Sequence, residues 1–265
     1  MIKINGEIVP QDNFPAGELL IKYKILNNKH MSIKWYYEND AELFALICIK
    51  RHIDEKCPKC FCELIMPYIC HARMDRIKNN EDIFTLKYFC ETINSLNFDS
   101  VTVLDAHSNV SLALLNNVKS MNVKSFIDVA ISNSTPDVIF YPDEGAMKRY
   151  NSIIKANKPI TFGMKKREWT TGEIKGLDIF GDTDALKDAK VLIIDDICSR
   201  GGTFYHSANK LKELGAKEIY LYVSHCEDTI HEGELLKDNG LIERIYTTNS
   251  FLNRKPHEKI EVIPL

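Results

Sequence analysis

The densest chemistry in this chain lies in the segment Asp195-Asp196-Ile-Cys-Ser-Arg-Gly-Gly-Thr203. Two adjacent carboxylates can accept hydrogen bonds from the vicinal hydroxyls of a sugar, but they repel an anion. The glycine turn that follows does the reverse. Its backbone N–H groups point outward, and a helix N-terminus behind it adds partial positive charge, so an anion is favoured there. Gly201 and Gly202 permit a close approach that a Cβ would block. Thr203 adds a hydroxyl donor, and Arg200 adds a guanidinium that can grip phosphate through two N–H groups. Side by side, the polyol half and the anion half suit a sugar phosphate, with Ser199 to Thr203 on the phosphate.

Such a segment needs a rigid strand before it and a helix after it. Val191-Leu-Ile-Ile194 is fully apolar, as expected of a strand covered on both faces, and Asp195 and Asp196 are expected to end it. Phe204, Ala208, Leu211 and Leu214 recur at helical spacing. Gly215 fits the position just past a helix end, and Ile219 to Val223 supplies the next strand. Similar units occur earlier. Glu63 to Met66 reads as a strand, Ile83 to Leu96 as a helix and Ser100 to Leu104 as a strand. Val138 to Tyr141 is another strand, followed by a helix from Ala146 to Ala156 and a strand at Pro159 to Phe162. The alternation predicts an α/β protein with mostly parallel sheets. Lys165 to Asp188 is polar and weakly periodic, and reads as a long loop with room for a hairpin.

The 195–203 segment resembles the ribose-phosphate-binding loop of type I phosphoribosyltransferases and of ribose-phosphate pyrophosphokinases, with Arg200 standing where threonine is usual. Further segments resemble the pyrophosphokinases more closely. Met66-Pro-Tyr-Ile-Cys-His-Ala-Arg-Met-Asp-Arg76 is similar to their ATP-binding strand end, which implies ATP roles for Arg73 and Asp75. Val103-Leu-Asp-Ala-His-Ser108 resembles the motif whose histidine lies near the ATP phosphates and Mg²⁺, which is His107 here. Tyr141-Pro-Asp-Glu-Gly-Ala146 resembles the segment whose aspartate, here Asp143, serves the metal and the ribose. Lys165-Lys-Arg167 falls where the family has a mobile basic loop, so Lys165 and Arg167 would close over the transferring group. Phe14-Pro-Ala-Gly-Glu18 is similar to the adenine-contacting segment, which implies ATP contacts for Phe14 and Glu18, although Ala16 replaces an aspartate. Residue types alone leave plainer readings open: an Arg–Asp ion pair, a structural histidine, a polar turn and a solvated basic run.

The resemblance implies two tandem phosphoribosyltransferase-like domains, each a mostly parallel sheet flanked by helices. The boundaries expected are 1–125 for the ATP side, 126–250 for the ribose-phosphate side, and a tail over 251–265 that packs back on the first domain. It also implies Mg²⁺-dependent transfer of the diphosphoryl group of ATP to a ribose 5-phosphate moiety, with a homo-oligomer, dimer or hexamer, as the assembly. Three alternatives stand beside this: the same chemistry on a larger acceptor such as ADP-ribose in NAD salvage, a phosphoribosyltransferase, and a silent regulatory homologue.

Composition bounds the rest. The 265 residues are 45% hydrophobic with a formal net charge of −3, enough for packed cores and without the basic excess of a nucleic-acid binder. No apolar run is long enough to span a membrane, and no export signal precedes the eight cysteines, so reduced thiols in a cytoplasm are expected. Cys57 and Cys60 form one tight pair near Cys62, Cys70 and His52. A structural zinc site commonly takes two such pairs, so turn and core cysteines are the preferred reading.

Overall fold

The computed structural model describes residues 1–25, 28–154, 157–167, 174–237, 240–251 and 254–265. The chain divides into two compact units, Met1–Asn122 and Val123–Leu265. Among the described residues, no helix is long and apolar enough to cross a membrane.

In the first unit the strands are β1 (Ile2–Ile4), β2 (Glu7–Ile8), β3 (Gln11–Asn13), β4 (Leu19–Ile21), β5 (His30–Trp35), β6 (Phe61–Ile65), β7 (Ser100–Leu104) and β8 (Val118–Met121). Its helices are α1 (Ala41–Lys56), α2 (Thr85–Ser95) and α3 (Asn109–Leu114). A six-stranded sheet runs β2-β1-β5-β6-β7-β8, and β3 with β4 forms a separate hairpin. From β5 to β8 the pairing is parallel, and β1 and β2 close one edge antiparallel. Met31, Ile33 and Trp35 alternate inward on β5, and Ala45, Leu46, Ile49 and Ile53 of α1 are buried. The Trp35 indole N–H donates to the buried carboxylate of Glu42 at 3.0 Å, and the Met1 ammonium meets the same group. That pairing lets an acid sit inside α1, since a buried charge needs partners.

The second unit contains α4 (Lys124–Ser134), β9 (Val138–Tyr141), α5 (Glu144–Tyr150), β10 (Ile160–Arg167), β11 (Ile174–Gly181), β12 (Lys190–Cys198), α6 (Gly202–Glu213), β13 (Glu218–Cys226), β14 (Arg244–Thr248) and β15 (Ile260–Ile263). Its seven strands run β11-β10-β9-β12-β13-β14-β15, all parallel except β11. Val191 and Ile193 of β12 pack with Phe204, Ala208 and Leu211 of α6. Leu192 and Ile194 point to the other side, where α4 and α5 lie on the sheet. After α6, Gly215 takes a positive φ of 94°, and the Ala216 N–H returns to the Leu211 carbonyl at 3.0 Å, closing the helix end.

Several expectations shift. The strand before the acid pair does not stop at Ile194: β12 continues through Asp195 and Asp196 to Cys198, because its partner β13 also continues, pairing Ile197 with His225 and Cys198 with Cys226. The expected loop from Lys165 to Asp188 is largely a β10–β11 hairpin followed by a 3₁₀ turn at Thr183–Leu186. The helix after β9 begins at Glu144 and reaches Tyr150, and Lys155 and Ala156 lie outside the described residues. Within the 251–265 segment expected to pack on the first domain, β15 instead pairs with β14 in parallel at the edge of the second sheet.

Candidate functional site

In the second unit, the sites of interest gather at the carboxyl ends of parallel strands, where open α/β sheets hold their ligands. At the end of β9, Asp143 caps α5, its Oδ1 accepting the Ala146 N–H at 3.0 Å. At the end of β12, Asp195 Oδ1 accepts the Asp196 N–H at 2.9 Å. Asp196 is only 4% exposed, and its Oδ2 accepts from Arg149 Nη1 of α5 at 2.8 Å. Burial pushes the Asp195 carboxyl well above the usual carboxylate range; the charge of Asp196 adds to this, and that of Asp143 adds further. The three acids are therefore close enough to feel one another.

Beyond Cys198 the chain turns through Ser199 and Arg200 to Gly201, whose φ is 79°, and α6 begins at Gly202 with no side-chain cap. A Cβ at Gly201 would lie 2.4 Å from Leu235 Cδ1, and one at Gly233 would lie 1.9 Å from the Arg200 carbonyl oxygen. The segment after β13 thus packs directly against the turn. The Ser199 hydroxyl donates to Glu227 Oε2 at 2.8 Å, and Thr229 donates to the same oxygen at 3.0 Å. Arg200 donates through Nε and Nη2 to Glu232 Oε2 at 3.1 and 2.9 Å, with its side chain 71% exposed. Two of the side chains expected on the phosphate, Ser199 and Arg200, are thus held by carboxylates. The groups that suit an anion at this turn are the backbone N–H groups opening α6 and the Thr203 hydroxyl.

Behind the turn, the ends of β13 and β14 carry a buried polar cluster. His225 Nδ1 lies 2.7 Å from Ser250 Oγ, and Thr248 Oγ1 lies 2.7 Å from the Ser224 carbonyl and 2.9 Å from Ser250 Oγ. Ser224, His225, Thr248 and Ser250 are all buried. Such a network is rigid when every member is satisfied.

In the first unit, the ends of β6 and β7 bring together Asp75 and the 107–108 pair. Asp75 accepts from Arg76 Nε at 2.6 Å and Nη2 at 2.8 Å. That guanidinium, a hydrogen bond from Ser108 and the nearby His107 hold the Asp75 carboxyl down at about 2 despite burial. Ser108 also caps α3, accepting the Val110 N–H at 3.2 Å. Arg73 is exposed on the same loop. Phe14, 50% exposed, and Glu18 sit at the turn joining β3 to β4, where the Phe14 N–H donates to the Glu18 carbonyl at 2.8 Å. Lys165 and Arg167 fall on the β10 backbone, with a register shift between Lys166 and Arg167; their side chains, like Trp169, lie outside the described residues.

Sequence reading did not single out Arg149, Glu227, Thr229, Glu232 or Gly233. No local spacing announces them, because each acts on the 195–203 segment from a different element. Among the described residues there is no cluster of three or more His, Cys, Asp or Glu side chains arranged to hold a metal. Cys57 and Cys62 are buried, and Cys60 is partly so.

The family model for the phosphoribosyl transferase domain matches residues 114–253. The chain is 24% identical over 255 residues to the ribose-phosphate pyrophosphokinase of Thermococcus kodakarensis, covering 95% of this chain and 88% of that relative. It is 26% identical over 268 residues to the enzyme of the same name from Saccharolobus solfataricus, covering 99% and 89%. The crystal structure of phosphoribosylpyrophosphate synthetase from Mycobacterium smegmatis superposes with a TM-score of 0.78 at 18% identity, over 97% of this chain and 86% of that one, which shows a shared fold. The chain belongs to the phosphoribosyl transferase domain family, as a divergent relative of the ribose-phosphate pyrophosphokinases.

Proposed function

We propose that the chain transfers the diphosphoryl group of ATP to the anomeric hydroxyl of a ribose 5-phosphate moiety, giving 5-phosphoribosyl 1-diphosphate and AMP. The observation that carries this reading is the second unit's strand end, where an acid pair stands one turn before an uncapped helix N-terminus. Similarity to ribose-phosphate pyrophosphokinases along nearly the whole chain supports it.

In this reading Asp195 and Asp196 accept the ribose hydroxyls, while Gly201, Gly202 and Thr203 face the 5′ phosphate. Ser199 and Arg200 shape the turn and contribute to the phosphate by exchanging their carboxylate partners. Arg73, Asp75 and His107 address ATP, with Phe14 and Glu18 on its adenine, and Lys165 and Arg167 stabilise the charge that builds on the transferring group. The acceptor oxygen attacks the β-phosphorus and AMP leaves, so catalysis is mostly alignment and electrostatic stabilisation.

Mg²⁺ suits this donor set. It takes hard oxygen ligands and keeps several waters, so phosphates plus one or two side chains suffice without a built protein cage. Asp143 and Asp195 offer such oxygens, and the carboxylate repulsion that adds to burial in raising Asp195 is what a divalent cation would relieve. His107 is the metal-side candidate of the first unit. When bound, the ion neutralises phosphate charge. Cytoplasmic placement and a homo-oligomeric assembly belong to the same proposal.

The test is direct. Protein incubated with ATP, Mg²⁺ and ribose 5-phosphate should yield AMP and a product heavier by one diphosphoryl group, weighed by mass spectrometry. ADP formation, or no ATP consumption, would overturn it. Product from a base and phosphoribosyl diphosphate would instead mark a phosphoribosyltransferase. Altered turnover of an added active enzyme, with no ATP use of its own, would mark a regulatory homologue. A second reading is favoured by Arg200, whose exposed guanidinium lies at the rim of the turn. There it suits a second phosphate, as in ADP-ribose, and running the same assay with that acceptor decides between the two.

A further inference from the structure

We propose that Arg149 is the positioning residue of the acceptor site, fixing the orientation of Asp196 without itself binding the sugar. This rests on the functional reading given above and extends it to a residue on a different element.

The geometry forms a chain of dependence. Asp143, at the end of β9, caps α5 through the Ala146 N–H. α5 then carries Arg149 in its last turn, where a cation suits the helix dipole. Arg149 Nη1 reaches Asp196 Oδ2 at 2.8 Å. The guanidinium lies 5.9 Å from the ring of Tyr150, a side chain with no exposed surface, which anchors that end of the helix. One acid therefore fixes the helix that delivers the cation to another acid.

Asp196 needs that cation. It is 4% exposed and next in sequence to Asp195, whose carboxyl is itself crowded by burial and by neighbouring carboxylates. A buried carboxylate needs a hydrogen-bonded partner, and without one the edge it offers a sugar diol is not fixed. Arg149 from α5 pairs with Asp196, and Asp195 adjoins it on its own strand. By occupying Oδ2, Arg149 also fixes which edge of the carboxylate is turned to the acceptor. With a side chain 28% exposed, Arg149 stands at the open end of the strand, not in the interior of the sheet.

The experiment uses the full chain as wild type, Arg149→Met and Arg149→Lys. Each is titrated calorimetrically with ribose 5-phosphate and, separately, with inorganic phosphate, and melting is recorded alongside. Arg149→Met is expected to weaken ribose 5-phosphate about 10–100-fold, by analogy with the loss of partners that orient metal-ligating side chains. Inorganic phosphate, held at the α6 N-terminus, should bind as in wild type. Arg149→Lys, which keeps the charge and loses the planar fork, should recover part of the affinity, and it reports even if the methionine variant does not fold. Wild-type affinity for ribose 5-phosphate in Arg149→Met, or a parallel loss of both ligands, would overturn the positioning role alone. Failure of the wild type to bind ribose 5-phosphate at all would overturn the functional reading and this inference with it.

Discussion

Gly233 lies outside the acid pair and the glycine turn, yet an alanine there should disable both. Its φ of −96° is open to any residue, so Gly233→Ala introduces no left-handed backbone strain. The whole effect is steric. The new Cβ would lie 1.9 Å from the Arg200 carbonyl oxygen and 2.9 Å from its carbonyl carbon, where real contacts do not fall below 3.0 Å. The partner is backbone, so no flexible side chain can swing aside, and the two segments must separate by about 1 Å, a displacement of the size that costs roughly 10² in rate when it misplaces a reacting group. Overpacking of this kind costs about 1–3 kcal/mol. The smaller conformational entropy of unfolded alanine offsets about 0.4–1 kcal/mol of that. The variant should therefore fold, melt a few degrees lower, and show kcat/KM for the acceptor reduced about 100-fold. Steady-state AMP release with varied acceptor, beside thermal melts, measures both. A lower melting temperature with wild-type kcat/KM would mean that the 227–235 segment moves and the turn does not, and the positional reasoning would be wrong.

Three other outcomes are expected. Lys165→Ala should lower turnover about 10²–10³-fold with the melting temperature unchanged, by analogy with the removal of one preorganised charge-stabilising donor; unaltered turnover would end that role. Asp195→Asn should stabilise the ligand-free protein at neutral pH while weakening ribose 5-phosphate binding. The folded pKa of Asp195 is raised, so its stabilising contribution is present below about pH 4 and is lost as pH rises through the folded value; melts at pH 7.5 that show no gain for the variant would refute this. Asp75 has the opposite sign. Its carboxyl is held at about 2, so its contribution is present above about pH 4 and is lost as pH falls from there towards 2. Arg76→Gln should therefore flatten the fall in melting temperature across that window, and identical slopes in the two proteins would argue against the pairing.

Strands buried on both faces were legible because nothing local competes with a continuous apolar run. Ser100–Leu104 and Val138–Tyr141 lie where the sequence places them. The extent of β12 was not legible, since acids suggest a strand end and only pairing with β13 carries the strand on to Cys198. Helix α1 was hidden because Glu42 and Lys50 are buried among its apolar positions and blur the stripe; both have charged or aromatic partners from elsewhere in the unit or the helix. The β10–β11 pair was read as mostly loop because an edge hairpin can be polar and still hold its register through the backbone ladder. The acid pair and the glycine turn were readable as a site from residue types alone. Their supports were not: Arg149, Glu227 and Gly233 lie between about 30 and 50 residues away in sequence, and distance of that kind carries no periodic signal.

The hydroxyl and imidazole cluster behind the turn bears on how this family can diverge. Ser250 Oγ is shared by His225 and Thr248, and both hydroxyls also meet the Ser224 carbonyl, so each serves several buried partners at once. Changes at His225, Thr248 and Ser250 are therefore expected to be coupled, and drift at this corner should proceed by coordinated replacement, one position constraining what its neighbours are allowed to become.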